Sequence, residues 1–159
     1  YRYRDLEFKL GSQNKDRVVV HKENKPVDEH LINVANSPSL YDEVLMYLSR
    51  QNFNIPSNLI KRDWSIAYMP SENVENIWRD IYKNSEKYWD IYMLAERMTS
   101  LEYYFQEWRF KHMKTVSRVI GNKKGTGGST GVNYLVKALD LSFFPELWSM
   151  RTYMNNENA

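Results

Sequence analysis

The chain contains no cysteine. Disulfides, zinc–cysteine sites, iron–sulfur clusters and thiolate-ligated metals are thereby excluded from its chemistry. The same absence fits a reducing compartment. The opening residues show no signal-peptide pattern, and the expected location is cytoplasmic. Neither sign of charge is in excess. Lys and Arg number 22 against 20 Asp and Glu, a net charge of +2. A pI near 8.7 reflects that small difference rather than a basic patch. This balance argues against a dedicated nucleic-acid or membrane-surface partner. No apolar run approaches the roughly 20 residues of a membrane span. Strand-like alternation persists nowhere, and Val18 to His21 is the one β-prone run. There is no internal repeat and no low-complexity linker.

Proline and glycine are also scarce, at 5 and 6 of 159 residues. A chain of this length suits one domain and buries about two-thirds of its unfolded surface. What is abundant is aromatic: 5 Trp, 12 Tyr and 6 Phe, with 7 Met besides. Such side chains fill cores, interfaces and pockets for flat ligands.

Helical spacing dominates. Tyr1 to Leu10 reads as helix, ended by Gly11, with neither methionine nor capping residue before it. The expectation is that the chain is a piece of something longer. Asn24-Lys25-Pro26 reads as a break. Val27 to Asn36 places Val27, Leu31 and Val34 on one face. Ser37 is the expected cap of the next helix, with Pro38 at its first position and its end near Arg50. Residues 51–70 form a connector. Ser71 opens a helix with Glu72 and Glu75 in its first turns and Ile77, Ile81 and Tyr82 on its buried stripe. From Ser85 to Ile120 there is neither proline nor glycine. Tyr88, Ile91, Leu94, Met98, Leu101, Phe105, Trp108, His112, Val116 and Ile120 recur at steps of three or four. This predicts one long helix or two in close succession. Val132 to Leu139 and Pro145 to Tyr153 are two more helices, and Asn155 to Ala159 is a polar tail. The expected fold is all-α.

Two features carry chemistry. His112 lies on the apolar stripe between Trp108 and Val116. A histidine there is either a satisfied core residue or an axial ligand to haem iron, which needs one neutral imidazole nitrogen. A non-haem site needs carboxylates or further histidines alongside, and no carboxylate lies one turn from His112 on this stripe. The second feature is Gly125-Thr126-Gly127-Gly128-Ser129-Thr130-Gly131, four glycines in seven residues. It fails as a phosphate loop because Lys123 and Lys124 precede the glycines and a helix, not a strand, leads in. It fails the dinucleotide fingerprint because position 130 is Thr and no strand leads in. It is either an interhelix linker or a loop that closes over a small polar ligand. His21 and His30 sit among polar residues and read as solvated, as do the charges at Arg62-Asp63, Glu75…Arg79 and Glu86-Lys87.

Taken together, these residues resemble the bacterial tryptophan 2,3-dioxygenase family. The segment from Trp108 through His112 to Val116, then Arg118 to Gly121, Lys124 to Ser129 and Tyr134-Leu135, looks like the family signature. Tyr3-Arg4…Glu7-Phe8, Pro38 to Tyr41, Arg62 to Trp64, Tyr88-Trp89 and Phe143 to Trp148 resemble further family segments in the family's order. The resemblance implies an all-α bundle of the tryptophan/indoleamine 2,3-dioxygenase type, dominated by long helices. It implies haem b as cofactor, L-tryptophan and O2 as substrates, N-formylkynurenine as product on the kynurenine route, and a homotetramer. His112 matches the family's proximal haem ligand. Thr126 matches the loop threonine that meets the substrate ammonium, flanked by Gly125 and Gly127.

The family's distal histidine, carboxylate-binding arginine and substrate-lining aromatics lie upstream of the Tyr-Arg-x-x-Glu-Phe segment. Residues 1–159 are therefore expected to be the C-terminal part of one haem-binding domain, inactive alone, with no catalytic residue assigned within it. His21 and His30 match no functional motif, and Arg4 is expected to pair with Glu7 one turn on. Two rival functions stay open. One is a haem oxygenase of the same superfamily with another aromatic substrate. The other is a non-catalytic helical interaction module with His112 in its core.

Overall fold

A computed structural model describes residues 2–17, 25–121 and 131–156. Among these the secondary structure is entirely helical: α1 Arg2–Leu10, a 3-10 turn Lys15–Arg17, α2 Lys25–Ala35, α3 Leu40–Arg50, α4 Ser57–Ile60, α5 Glu72–Lys83, α6 Trp89–Ile120, α7 Gly131–Leu139 and α8 Pro145–Asn156. The expected all-α architecture is met. Val18 to His21, the β-prone run, lies outside the described residues.

The core forms where α3, α5, α6 and α8 meet. Tyr41, Leu45 and Leu48 of α3 share this core with Val74, Trp78 and Ile81 of α5, and the Trp78 indole N–H donates to the Tyr41 hydroxyl. Ile91, Ala95 and Met98 of α6 and Leu147 and Met150 of α8 close the cluster, with Phe143 and Phe144 ahead of α8. The helix α5 packs most extensively on α8, and α7 lies along α6. Among the described residues no helix is long and apolar enough to cross a membrane.

Two local expectations are corrected, and one left open is decided. The break at Lys25-Pro26 is instead the start of α2, because proline fits a helix's first turn, where its missing N–H has no partner to lose. The cap of α3 is Ser39, not Ser37. Ser39 and Asp42 form a reciprocal capping box, while the Ser37 hydroxyl donates back to the Asn33 carbonyl at 2.8 Å. The segment from Ser85 to Ile120 is one helix preceded by a turn, and its 32 residues span about 48 Å.

Gly11 ends α1 at φ +153°, a conformation that side chains rarely adopt. A Cβ there would stand 2.6 Å from the Phe143 carbonyl oxygen. The glycine thus lets α1 approach the linker that leads into α8.

Candidate functional site

The buried seam of α6 differs from the apolar stripe. It runs through Ile91, Ala95, Met98, Glu102, Arg109 and Met113. Leu101, expected inside, is exposed. Counting apolar residues misses Glu102 and Arg109 because their charged groups are hydrogen-bonded within the fold rather than solvated.

Both charges place other elements against α6. The Glu102 carboxylate is fully buried and accepts the backbone N–H groups of Phe143 at 2.7 Å and Phe144 at 3.0 Å. It caps the entrance to α8 from another helix, supplying acceptors that the chain itself lacks there. Arg109 donates to Glu7 Oε1 at 2.8 Å and to the Leu141 carbonyl at 2.7 Å. The other Glu7 oxygen accepts from Arg17 at 2.9 Å. The expected Arg4–Glu7 pair is therefore replaced: Arg17 and Arg109 hold Glu7, and Arg4 donates to the Arg17 carbonyl.

One face of α6 beside this seam carries His112. Its ring is half-buried and lies parallel to the Trp108 indole, with centroids 5.1 Å apart and planes 9° from parallel. Trp108 also stacks with Tyr3 of α1 at 4.1 Å and 21°, and Phe105 leans on it at 5.6 Å. Among the described residues, neither ring nitrogen of His112 has a hydrogen-bond partner.

That environment fits one kind of metal chemistry. Among the described residues no cluster of three or more His, Cys, Asp or Glu could hold a bare ion. A half-buried imidazole with both nitrogens unengaged suits a metal whose other ligands come from a macrocycle, because such a site asks one nitrogen of the protein. The donor set therefore fits haem and does not fit a multi-carboxylate centre.

Gly121 closes α6 nine residues past His112, at φ +57°. A Cβ there would meet nothing within 4 Å, so conformation rather than crowding favours glycine. Gly125, Thr126 and Gly127 lie outside the described residues, as does His21. His30 is exposed, as expected, with Nε2 2.8 Å from Asp5 Oδ1.

Two further polar networks went unread in the sequence. Arg62, expected solvated beside Asp63, instead engages both oxygens of buried Asp42, at 2.7 and 2.9 Å. Burial works to raise the Asp42 pKa, but Arg62 and Ser39 outweigh it and hold the carboxyl below its usual range. Glu146 is buried on α8, where it accepts Tyr68 OH at 2.6 Å, Tyr41 OH at 2.8 Å and the Ser71 N–H at 2.8 Å. Burial pushes its pKa up against those bonds. A cavity of about 320 Å³ adjoins it, lined by Ser71, Glu75, Arg79 and Tyr153 among others. Its walls include no residue of α6, so it is separate from the His112 face.

The described residues define the class as an all-α bundle whose longest helix carries one half-buried imidazole stacked on an indole. Comparison with known proteins gives the particular family. Residues 29–154 match the model of the family described as tryptophan 2,3-dioxygenase. A tryptophan 2,3-dioxygenase of Shewanella woodyi is 47% identical over 154 residues, 97% of this chain and 54% of the relative. Those of Serratia proteamaculans and Geobacillus thermodenitrificans are 45% and 43% identical over 96% of the chain, again 54% of each relative. The chain belongs to the tryptophan 2,3-dioxygenase family, and it spans about half the length of the curated relatives it matches.

Proposed function

We propose that the full-length protein carrying this chain is a cytoplasmic, homotetrameric haem b enzyme that converts L-tryptophan and O2 to N-formylkynurenine. The reaction is self-balancing. The indole C2–C3 bond breaks, each carbon gains one oxygen atom of the same O2, and no net reductant is consumed. The observation that carries the reading is His112. In a chain of this family, a half-buried imidazole keeps both nitrogens unengaged by the described residues.

When bound, the haem supplies the redox chemistry that activates O2. The chain's own residues supply placement. His112 offers the lone pair of one neutral ring nitrogen, and the stiff, long α6 fixes where that nitrogen lies. Thr126 would accept a hydrogen bond from the substrate ammonium. Gly125 and Gly127 would let the loop backbone close over the amino-acid end and exclude water. Oriented binding of this kind replaces the entropy that free reactants would lose on meeting.

The test is His112→Ala in the full-length protein, read by haem retention, the Soret spectrum and N-formylkynurenine absorbance. Loss of stable haem and of product is expected. A parent-like spectrum would sink the assignment. Product mass with isotopically labelled O2 separates this activity from an oxygenase acting on another aromatic substrate.

A further inference from the structure

Coordination fixes where one nitrogen of an axial histidine lies, but not the plane of its ring. The histidine ring turns about a terminal torsion with a broad, roughly two-fold profile, so covalent geometry leaves the plane open. Metal-bound histidines usually have it set by a hydrogen bond from their second ring nitrogen to an acceptor. Among the described residues His112 has no such acceptor. Its ring instead lies against the Trp108 indole, 9° from parallel.

We infer that Trp108 is a positioning residue, whose indole face sets the plane of the His112 imidazole and so the orientation it presents to the metal group. The inference rests on the assignment of His112 as the axial ligand.

The local geometry follows from the helix. Trp108 and His112 are four residues apart on α6, so they lie on one face, a turn apart. Helical side chains lean toward the N-terminus, which carries the His112 ring back over Trp108. The contact uses ring faces, whereas coordination and hydrogen bonding use lone pairs and N–H bonds in the ring plane. Stacking therefore fixes orientation and leaves both nitrogens available. A hydrogen-bonding neighbour would engage one of them.

A positioning group must itself be held, and the indole is. Tyr3 stacks on it at 4.1 Å and Phe105 leans against it at 5.6 Å. Tyr3 comes from α1, which the Glu7–Arg109 pair fastens to α6 at 2.8 Å. Tyr3 and Glu7 are four apart on α1, and Trp108 and Arg109 are adjacent on α6. The ion pair therefore sets the register that lets Tyr3 reach the indole. Placement passes from Glu7 and Arg109 through α1 to Tyr3, then Trp108, then His112.

The experiment uses the full-length protein as parent, Trp108→Met, Trp108→Phe and His112→Ala. Methionine retains apolar bulk and helix propensity but has no planar face, and phenylalanine restores one. Before haem is added, the His112 ring protons of the parent should be shifted upfield in NMR by the indole ring current. That shift should vanish in Trp108→Met. After haem loading, Trp108→Met should release haem roughly tenfold faster, in line with other changes to groups that orient metal ligands. Its ferrous iron–imidazole stretching band should shift or broaden, and Trp108→Phe should recover most of both signals. A parent-like band and release rate in Trp108→Met overturn the inference. So do His112 ring protons at unstacked positions in the parent, a measurement that needs no variant and decides the matter if Trp108→Met fails to fold. The two readings fail separately. Haem loss in His112→Ala with parent behaviour in Trp108→Met removes only the positioning role. Unchanged haem binding in His112→Ala removes the ligand assignment itself.

Discussion

Glu7 and Arg109 meet at 2.8 Å although 102 residues separate them in the chain. Both are buried, and each has a further charged or carbonyl partner, so the pair ties α1 and the segment before α8 to the middle of α6. Removing one member strands the other. Arg109→Met in the full-length protein is expected to destabilise it by about 3–5 kcal/mol. Urea unfolding read by tryptophan fluorescence measures this. A loss below about 1 kcal/mol, the size of an exposed pair, contradicts it.

Glu102 should act as a cap supplied from outside the helix it caps. Glu102→Ala leaves the Phe143 and Phe144 N–H groups buried without acceptors, at about 1–3 kcal/mol each. Glu102→Gln keeps one carbonyl oxygen and should lose less. Hydrogen exchange should speed up first at these two amides. If the two variants are equally stable, Glu102 serves by bulk and not as an acceptor.

Asp42 predicts an acid limb in the stability profile. Its folded pKa lies below the ordinary aspartate range, so the folded state holds its proton less tightly than the unfolded chain. The stabilisation is fully present above the unfolded value and is lost as pH falls through the folded one. Asp42→Asn should destabilise clearly at neutral pH, with a difference from parent that shrinks as pH falls below the ordinary aspartate range. A difference constant across that range would refute the coupling.

The proposed role of Thr126 predicts an effect on substrate binding. If its hydroxyl accepts from the substrate ammonium, Thr126→Ala should weaken L-tryptophan binding by about 1–2 kcal/mol. Haem affinity should stay at the parent level. Titration calorimetry of both variant and parent decides it, and equal affinities remove the contact.

Much of the fold was legible because punctuation is rare in this chain. Gly11 and Gly121 stop helices and Pro145 starts one, and the proline-free run to Ile120 is one helix. His112 was legible as a candidate from its place between Trp108 and Val116, and the four-residue step from Trp108 already allowed the stack. The remainder depended on partners distant in sequence. Glu102 and Arg109 look solvated until the amides of Phe143 and Phe144 and the carboxylate of Glu7 arrive beside them. Arg62 looks solvated beside its neighbour Asp63 until Asp42 is found against it in space. Ser37 and Ser39 flank the same proline, and only the reciprocal bond to Asp42 separates the true cap from the helix-ending hydroxyl.

The bond between Tyr41 and Glu146 also has a consequence in time. The two residues are 105 positions apart, and at ribosomal rates of about 5–20 residues per second Glu146 is made roughly 5–20 seconds after Tyr41. Until then the nascent α3, and α5 once it is made, have no α8 to cover them, and Leu45, Trp78 and Ile81 stay exposed unless something else shields them. Translational slowing between those positions should lengthen the exposure and raise the nascent chain's dependence on chaperones.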